Sequence, residues 1–213
     1  MRKGKWIETV SGIKFWPLDP KPEDICVVDI ATGLCQTCRY NGQVMFFYSV
    51  GQHSLNCCQL AEYMGHPARV QLLCLLHDAA EAYISDVTAP VKSCIPEFSR
   101  IEERIMQAVY KSFRMDPPTP EELKIIKNID NVILVTEAKG LAMEHVTSEE
   151  SLVRFLPHPH IKIQSLPPDV VIYAYLDVLA ELLVETLETD KLTEVTSDLI
   201  KNFKKVVKGK MKP

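Results

Sequence analysis

Apolar residues recur at helical spacing along most of this chain. Near residues 51–64, His53, Cys57, Leu60, Ala61 and Met64 fall at i, i+4, i+7, i+8 and i+11, which is one face of a helix. Pro67 opens the next helix, as proline does at a first helical position, and the pattern carries it to about Tyr83 with Val70, Leu73, Cys74, His77 and Glu81 sharing a face. Residues 97–114 form another helix. Pro117, Pro118 and Pro120 separate it from a long helix near 121–143, which begins at Thr119 or Pro120; Glu121 and Glu122 favour that start through the helix dipole. Its inward row reads Leu123, Ile126, Asp130, Ile133, Glu137. Further helices are predicted over about 24–38, 167–187 and 194–207, with Pro157, Pro159, Pro167 and Pro168 marking a loop.

The start of the chain is different. Trp6–Thr9 and Ile13–Trp16 flank Ser11-Gly12, a turn signal, so a hairpin is predicted there. Val44–Tyr48 reads either as a strand or as an extended lead-in to the next helix. The whole predicts an all-α helical bundle with a small N-terminal β-hairpin. Residues 1–23 are the hairpin and linker, and 24–213 the helical domain. No internal repeat interrupts this order.

Polar groups then stand out against the apolar rows. His53 lies on a buried face, where a lone histidine is more often a satisfied core residue than a ligand. His77 and Glu81, four apart, point the same way. Asp78 is turned about 100° from His77 by the helical period, so both border one cavity. Asp130 sits at the centre of a core-facing row, where an aspartate needs an arginine or a metal. Buried charge without a partner is very costly. Two imidazoles and two carboxylates form a nitrogen and oxygen donor set suited to one divalent ion: Mn, Co, Ni, Fe, Zn or Mg. On an octahedral ion they leave two positions for water and a substrate oxygen. Glu137 reads as a salt-bridged residue behind the ligands. His158 and His160 look like a metal pair, but two loop histidines are more often exposed.

Composition narrows the class. The chain has 213 residues, 46% hydrophobic and 24% charged, enough for one domain with a real core. The formal net charge of -4 argues against a grip on duplex nucleic acid and favours a small-molecule ligand. The basic first residues are not followed by an apolar run, so neither a signal peptide nor a membrane partner is expected, and the expected location is cytoplasmic. The 7 cysteines are scattered, and the one Cys35-x-x-Cys38 has no second pair, so they read as small apolar residues facing helices. The lysines from Lys201 to Lys212 read as a solvated helix end.

Three segments carry a family resemblance: Tyr48–Leu55 (YSVGQHSL), Leu75–Tyr83 (LLHDAAEAY) and Asp86–Lys92 (DVTAPVK). Together they resemble the HD-domain phosphohydrolases, nearest to bacterial 5'-deoxyribonucleotidases and related phage and bacterial hydrolases, over roughly residues 30–145. The resemblance implies a helical fold with one divalent metal held by His53, His77, Asp78 and Asp130. It implies that Glu81 and Asp86 activate and position water, and that Lys92 contacts phosphate. Arg39 and Tyr40 match an Arg-aromatic pair that lines the nucleoside pocket, although the bacterial nucleotidases carry Trp where Tyr40 stands. Ala82 replaces the last acid of the HDxxED run found in alarmone hydrolases, which argues against that activity. The expected reaction is hydrolysis of a nucleoside 5'-monophosphate. A dNTP triphosphohydrolase, a phosphodiesterase and a non-catalytic nucleotide-binding module are the alternatives. Relatives often self-associate, so a homo-oligomer is expected by analogy.

Overall fold

The computed structural model describes residues 2–143, 145 and 150–197. Strands β1 (Ile7–Glu8) and β2 (Lys14–Phe15) pair antiparallel, with Ile7 opposite Phe15 and Glu8 opposite Lys14. Gly12 closes the turn at φ +77°, a left-handed conformation that suits glycine. The hairpin is fastened to the helices. Phe15 is buried and stacks on Tyr83 with ring centroids 4.0 Å apart. The Ser11 N–H and hydroxyl donate to the Asp29 carboxylate at 2.8 and 2.6 Å.

The helices follow as α1 (Val27–Gln36), α2 (Val50–Tyr63), α3 (Ala68–Leu76), α4 (Glu81–Ile84), α5 (Ala89–Lys92), α6 (Pro96–Ser112), α7 (Pro120–Gly140) and α8 (Pro168–Thr186). Residues 189–197 are helical again. The fold is therefore an all-helical bundle with a small hairpin, as the periodicity predicts. Helix α2 is the hub: it packs on α1, α3, α7 and α8, and α8 closes over α1 and α3. Ile30, Leu34, Leu73, Leu75, Leu76, Ile129 and Ile133 are buried in the shared core. Tyr175 of α8 is buried too, and its hydroxyl donates to the Leu75 carbonyl at 2.9 Å, which removes the penalty of burying it.

Two glycines let backbones approach closely. A Cβ on Gly51 would sit 2.4 Å from Cys35 Sγ, and one on Gly33 would sit 2.7 Å from the Ala82 carbonyl oxygen. These contacts hold α1 against the helices that carry His53 and Glu81.

Helix α7 begins with a capping box. The Thr119 hydroxyl accepts from the Glu122 N–H at 3.2 Å, and the Glu122 carboxylate accepts from the Thr119 N–H at 2.8 Å. Arg69 donates to that carboxylate at 2.7 Å, tying α3 to α7. Thr119→Ala is expected to cost about 1 kcal/mol. A urea titration checks this: the midpoint falls while the slope stays constant.

The structure departs from the periodic pattern at the HD pair. The helix predicted from Pro67 to Tyr83 ends at Leu76, and α4 resumes at Glu81. Between them the chain makes tighter turns, with the Ala79 N–H on the Leu76 carbonyl and the Glu81 N–H on the Asp78 carbonyl, both at 2.9 Å. The cause is local. The His77 ring meets the Cys74 carbonyl through Nδ1 at 2.7 Å, and that carbonyl is the one the Asp78 N–H would need in a continuing α-helix. Val44–Tyr48 is not a strand: residues 44–46 bend, and one antiparallel bridge between Cys38 and Ser49 anchors the approach to α2. The loop after Asp86 contains α5. The lysine-rich tail, with most of the helix expected over 194–207, lies outside the described residues. None of the helices among the described residues is long and apolar enough to cross a membrane.

Candidate metal centre

Three structural elements bring ligand-type side chains to one place. Ser49 caps α2 by accepting from the Gln52 N–H at 3.1 Å, which sets His53 in the first turns of that helix. The turn after α3 supplies His77 and Asp78. Helix α7 supplies Asp130 and, two turns on, Glu137. His53 Nε2 lies 3.2 Å from His77 Nε2, 3.3 Å from an Asp130 carboxylate oxygen and 3.6 Å from an Asp78 oxygen. The same Asp78 oxygen is 3.2 Å from His77 Nε2. A cation that holds its donors at about 2.1 Å spaces them about 3.0 to 3.4 Å apart. The spacings of His77 and Asp130 from His53 fit one divalent ion, and Asp78, 3.6 Å from His53 but 3.2 Å from His77, lies at its edge.

The far side of each imidazole is already engaged. His77 Nδ1 meets the Cys74 carbonyl, and His53 Nδ1 meets Glu137 Oε1 at 2.8 Å. Donating those two protons leaves each Nε2 facing the cluster, the arrangement that orients a metal-binding imidazole. Glu137 is fully buried and satisfied from every side. It accepts from the hydroxyls of Tyr40 and Tyr48, the latter at 2.9 Å, and Arg39 Nε lies 3.2 Å away. Asn56 donates to the Tyr48 hydroxyl at 2.7 Å. The reading of Glu137 as a salt-bridged residue behind the ligands agrees with this geometry. Glu137→Gln is expected to weaken divalent-metal binding about 10- to 100-fold, read by titration calorimetry, because the amide no longer fixes the His53 ring as an acceptor at Nε2.

Electrostatics follow the same layout. Burial opposes ionisation of Asp78, yet His77, His53 and Arg39 hold its carboxyl well below the usual range. Burial likewise opposes Asp130, but the hydrogen bond and charge of His53, with His77 and Lys127, keep it ionised. Glu137 is pulled down to about 2 against its burial by Arg39 and His53. On His53 itself, burial and Arg39 oppose a proton while Cys57, Glu137 and Asp130 favour one, and the balance lies well above the ordinary imidazole value. A proton and a cation thus compete for the same Nε2.

Glu81 behaves in the opposite way. It is buried, its Oε2 has no hydrogen-bond partner among the described residues, and burial with the nearby Asp78 and Asp86 pushes it up to about 9. Asp86 is half-buried and also raised, by burial and by Asp78. Glu81 thus forms a proton-holding flank to the ionised ligands.

The expected phosphate and nucleoside contacts are committed more than the sequence suggested. Lys92 Nζ donates to Glu102 at 2.6 Å, although its charge still reaches Glu81. Arg39 lies between Glu137 and Asp78, with Nη1 3.7 Å from the latter. Tyr40, at φ +56°, gives its hydroxyl to Glu137, while its ring lies 5.1 Å from the Arg39 guanidinium carbon. His158 and His160 stand apart from the centre and pack on Tyr63, with centroids 5.7 and 6.1 Å from its ring.

Sequence reasoning missed three contributors. Cys57 Sγ lies 3.5 Å from His53 Nε2, and the ligand atoms of His53, Cys57, His77 and Asp130 all fall within 4.8 Å of one another. The signal was present: Cys57 shares the His53 face one turn on, and was read only as an apolar residue. Tyr48 and Asn56 carried no signal, because their role depends on Glu137, 89 positions along the chain from Tyr48.

A helical domain that gathers two histidines and two aspartates into one partly buried cluster has a donor set that could hold a divalent cation. The HD domain family matches residues 50–133, from the first turn of α2 to the middle of α7, a span that contains all four predicted ligands. The chain is 35% identical over 141 residues to the uncharacterized protein YfdR of Escherichia coli, covering 65% of this chain and 74% of that one. It is 36% identical over 146 residues to an uncharacterized protein of Rhodobacter capsulatus, covering 66% and 74%. The chain belongs to the HD-domain family, whose members are typically metal-dependent hydrolases.

Proposed function

We propose that the protein is a metal-dependent nucleotide phosphohydrolase that converts (deoxy)nucleoside 5'-monophosphates to nucleoside and orthophosphate. The observation that carries this is the convergence of three donors within 3.6 Å of His53 Nε2, beside a buried carboxyl, Glu81, that holds a proton. His53, His77, Asp78 and Asp130 would hold the cation. When bound, such an ion polarises a phosphoryl oxygen and lowers the pKa of water at the site.

The remaining steps belong to the side chains. Glu81 orients the attacking water, and takes its proton once a bound cation offsets the Asp78 charge; burial and that charge keep Glu81 protonated in the metal-free chain. A cation beside Asp78 would lower Glu81 from about 9 toward the working pH, where proton transfer is most efficient. Asp86, less buried, passes a proton to the leaving alkoxide. Arg39 and Lys92, each already held by a carboxylate, keep positive charge in place to offset the charge spread over the phosphate oxygens. The Tyr40 ring, beside Arg39, stacks on the base.

A phosphate-release screen of metal-stripped protein tests this, with dNMPs, NMPs and dNTPs and added Mn, Co, Ni, Zn or Mg. Orthophosphate from monophosphates is the expected product. Tripolyphosphate and nucleoside from dNTPs would move the assignment to a triphosphohydrolase. Nucleotide binding without turnover under any metal would make the protein a binding module.

A further inference from the structure

Arg39, Lys92 and Lys127 bring positive charge to the centre, and they differ in how firmly each is held. The Arg39 side chain is 12% exposed and lies between Glu137 and Asp78. Lys92, 33% exposed, is bound to Glu102 at 2.6 Å. Lys127 is 69% exposed and stands one turn before Asp130 on α7. The Asp130 carboxylate divides its two oxygens: Oδ1 lies 3.3 Å from His53 Nε2, and Oδ2 accepts from Lys127 Nζ at 2.8 Å. Lys127 thus reaches the cluster from the solvent side, one carboxylate away from the histidines. An exposed ion pair three residues apart on a helix is weak. The ammonium has three donors, and Asp130 occupies one of them.

We propose that Lys127 takes hold of the substrate's phosphate group, changing its acceptor from Asp130 to a phosphate oxygen once a cation is bound. The family resemblance assigns phosphate contact to Lys92 and gives no part to Lys127. The inference rests on the phosphohydrolase reading and on Asp130 as a metal ligand. In the metal-free chain the Asp130 charge keeps the ammonium in place. A carboxylate that shares its charge with a cation is a weaker partner for a second one, since like charges on either side of it repel. A phosphate monoester offers a dianion with several acceptor oxygens, and donation to it is charge-assisted. The exchange therefore favours the phosphate. Arg39 and Lys92 have no such freedom. To move, they would leave Glu137 or Glu102 without its counter-charge, whereas Asp130 would keep the cation.

The test is a calorimetric titration of orthophosphate into the cobalt-loaded full chain, with cobalt affinity read separately from visible absorption. Lys127→Met is expected to weaken orthophosphate binding about 10-fold, and Lys127→Arg, which keeps the charge, by no more than about threefold. Cobalt affinity should not fall in either variant. Lys124→Met removes an exposed lysine one turn earlier on α7, and with it the same net charge, and should leave orthophosphate affinity unchanged. With a nucleoside monophosphate as substrate, Lys127→Met should raise KM by a similar factor and change kcat less. Orthophosphate affinity that is unchanged in Lys127→Met, or that falls equally in Lys124→Met, would overturn the role of Lys127 and leave the proposed reaction standing. A selective fall in Lys127→Met without turnover of any nucleotide would uphold the phosphate contact and overturn the nucleotidase reading. No orthophosphate binding to the cobalt-loaded parent chain, or no cobalt uptake, would overturn the phosphate contact outright.

Discussion

His77→Ala is expected to abolish both divalent-metal binding and turnover, with affinity lost by roughly 10³-fold or more. His77 contributes twice. Its Nε2 lies 3.2 Å from both His53 Nε2 and the Asp78 carboxylate, so it sits between two other donors. Its Nδ1 engages the Cys74 carbonyl, the contact that ends α3 and turns Asp78 and Glu81 into the site. Removing the ring deletes a ligand and frees α3 to continue as an ordinary helix. Calorimetry with metal-stripped protein reads the first effect, and phosphate release reads the second. Near-normal binding in His77→Ala would show that the cluster does not hold the cation. Circular dichroism separates this result from unfolding, since the buried apolar rows of α2, α3 and α7 are untouched.

Glu81→Gln is expected to keep the metal and lose rate by a factor on the order of 10². Gln fills the same volume but cannot take a proton from water. The same substitution has an opposite effect on stability, and its sign follows from linkage. In the metal-free protein Glu81 is raised from its ordinary value to about 9, so between about pH 4.5 and 9 the folded chain keeps a proton that the unfolded chain has lost. Stability contributed by this group is therefore present below the unfolded value and is lost as pH rises toward 9. Gln does not titrate. The metal-free variant should be more stable than the parent protein, by a margin that grows from pH 5 to about 9, measured by urea denaturation at several pH values. A margin that stays constant with pH would show that Glu81 is ionised when folded. A variant that turned over normally would remove Glu81 from the reaction.

Much of this molecule was legible in its sequence, for physical reasons that differ by element. The row on α7 was visible because its outer side is exposed and the 3.6-residue period survives from Ile126 to Glu137, although Leu123 is exposed. Helix α2 is buried all round over residues 50–54, and its row shows only beyond them, with Met64 exposed. His53 and Asp130 could be read as inward-facing because they interrupt those rows. The break at His77 was not legible. Local periodicity continues through it, and only the competition between the His77 ring and a main-chain donor for one carbonyl ends the helix. The commitments of Tyr40 and Lys92 were hidden for a different reason. Their partners, Glu137 and Glu102, are set by packing between elements rather than by spacing. Cys57 is the instructive case. Its spacing from His53 was visible, but a buried thiol reads as a small apolar residue until an imidazole nitrogen is found beside it.

Metal content of the purified chain and of Asp130→Ala, each reconstituted with one divalent ion at a time and measured by elemental mass spectrometry after desalting, puts the metal centre to the test. The expected result is close to one equivalent per chain in the parent protein and close to none in Asp130→Ala, with phosphate release from deoxynucleoside monophosphates present only in the first. An unchanged metal content in Asp130→Ala, or phosphate release that persists in fully stripped protein, would contradict a hydrolase built on the His53, His77, Asp78 and Asp130 cluster.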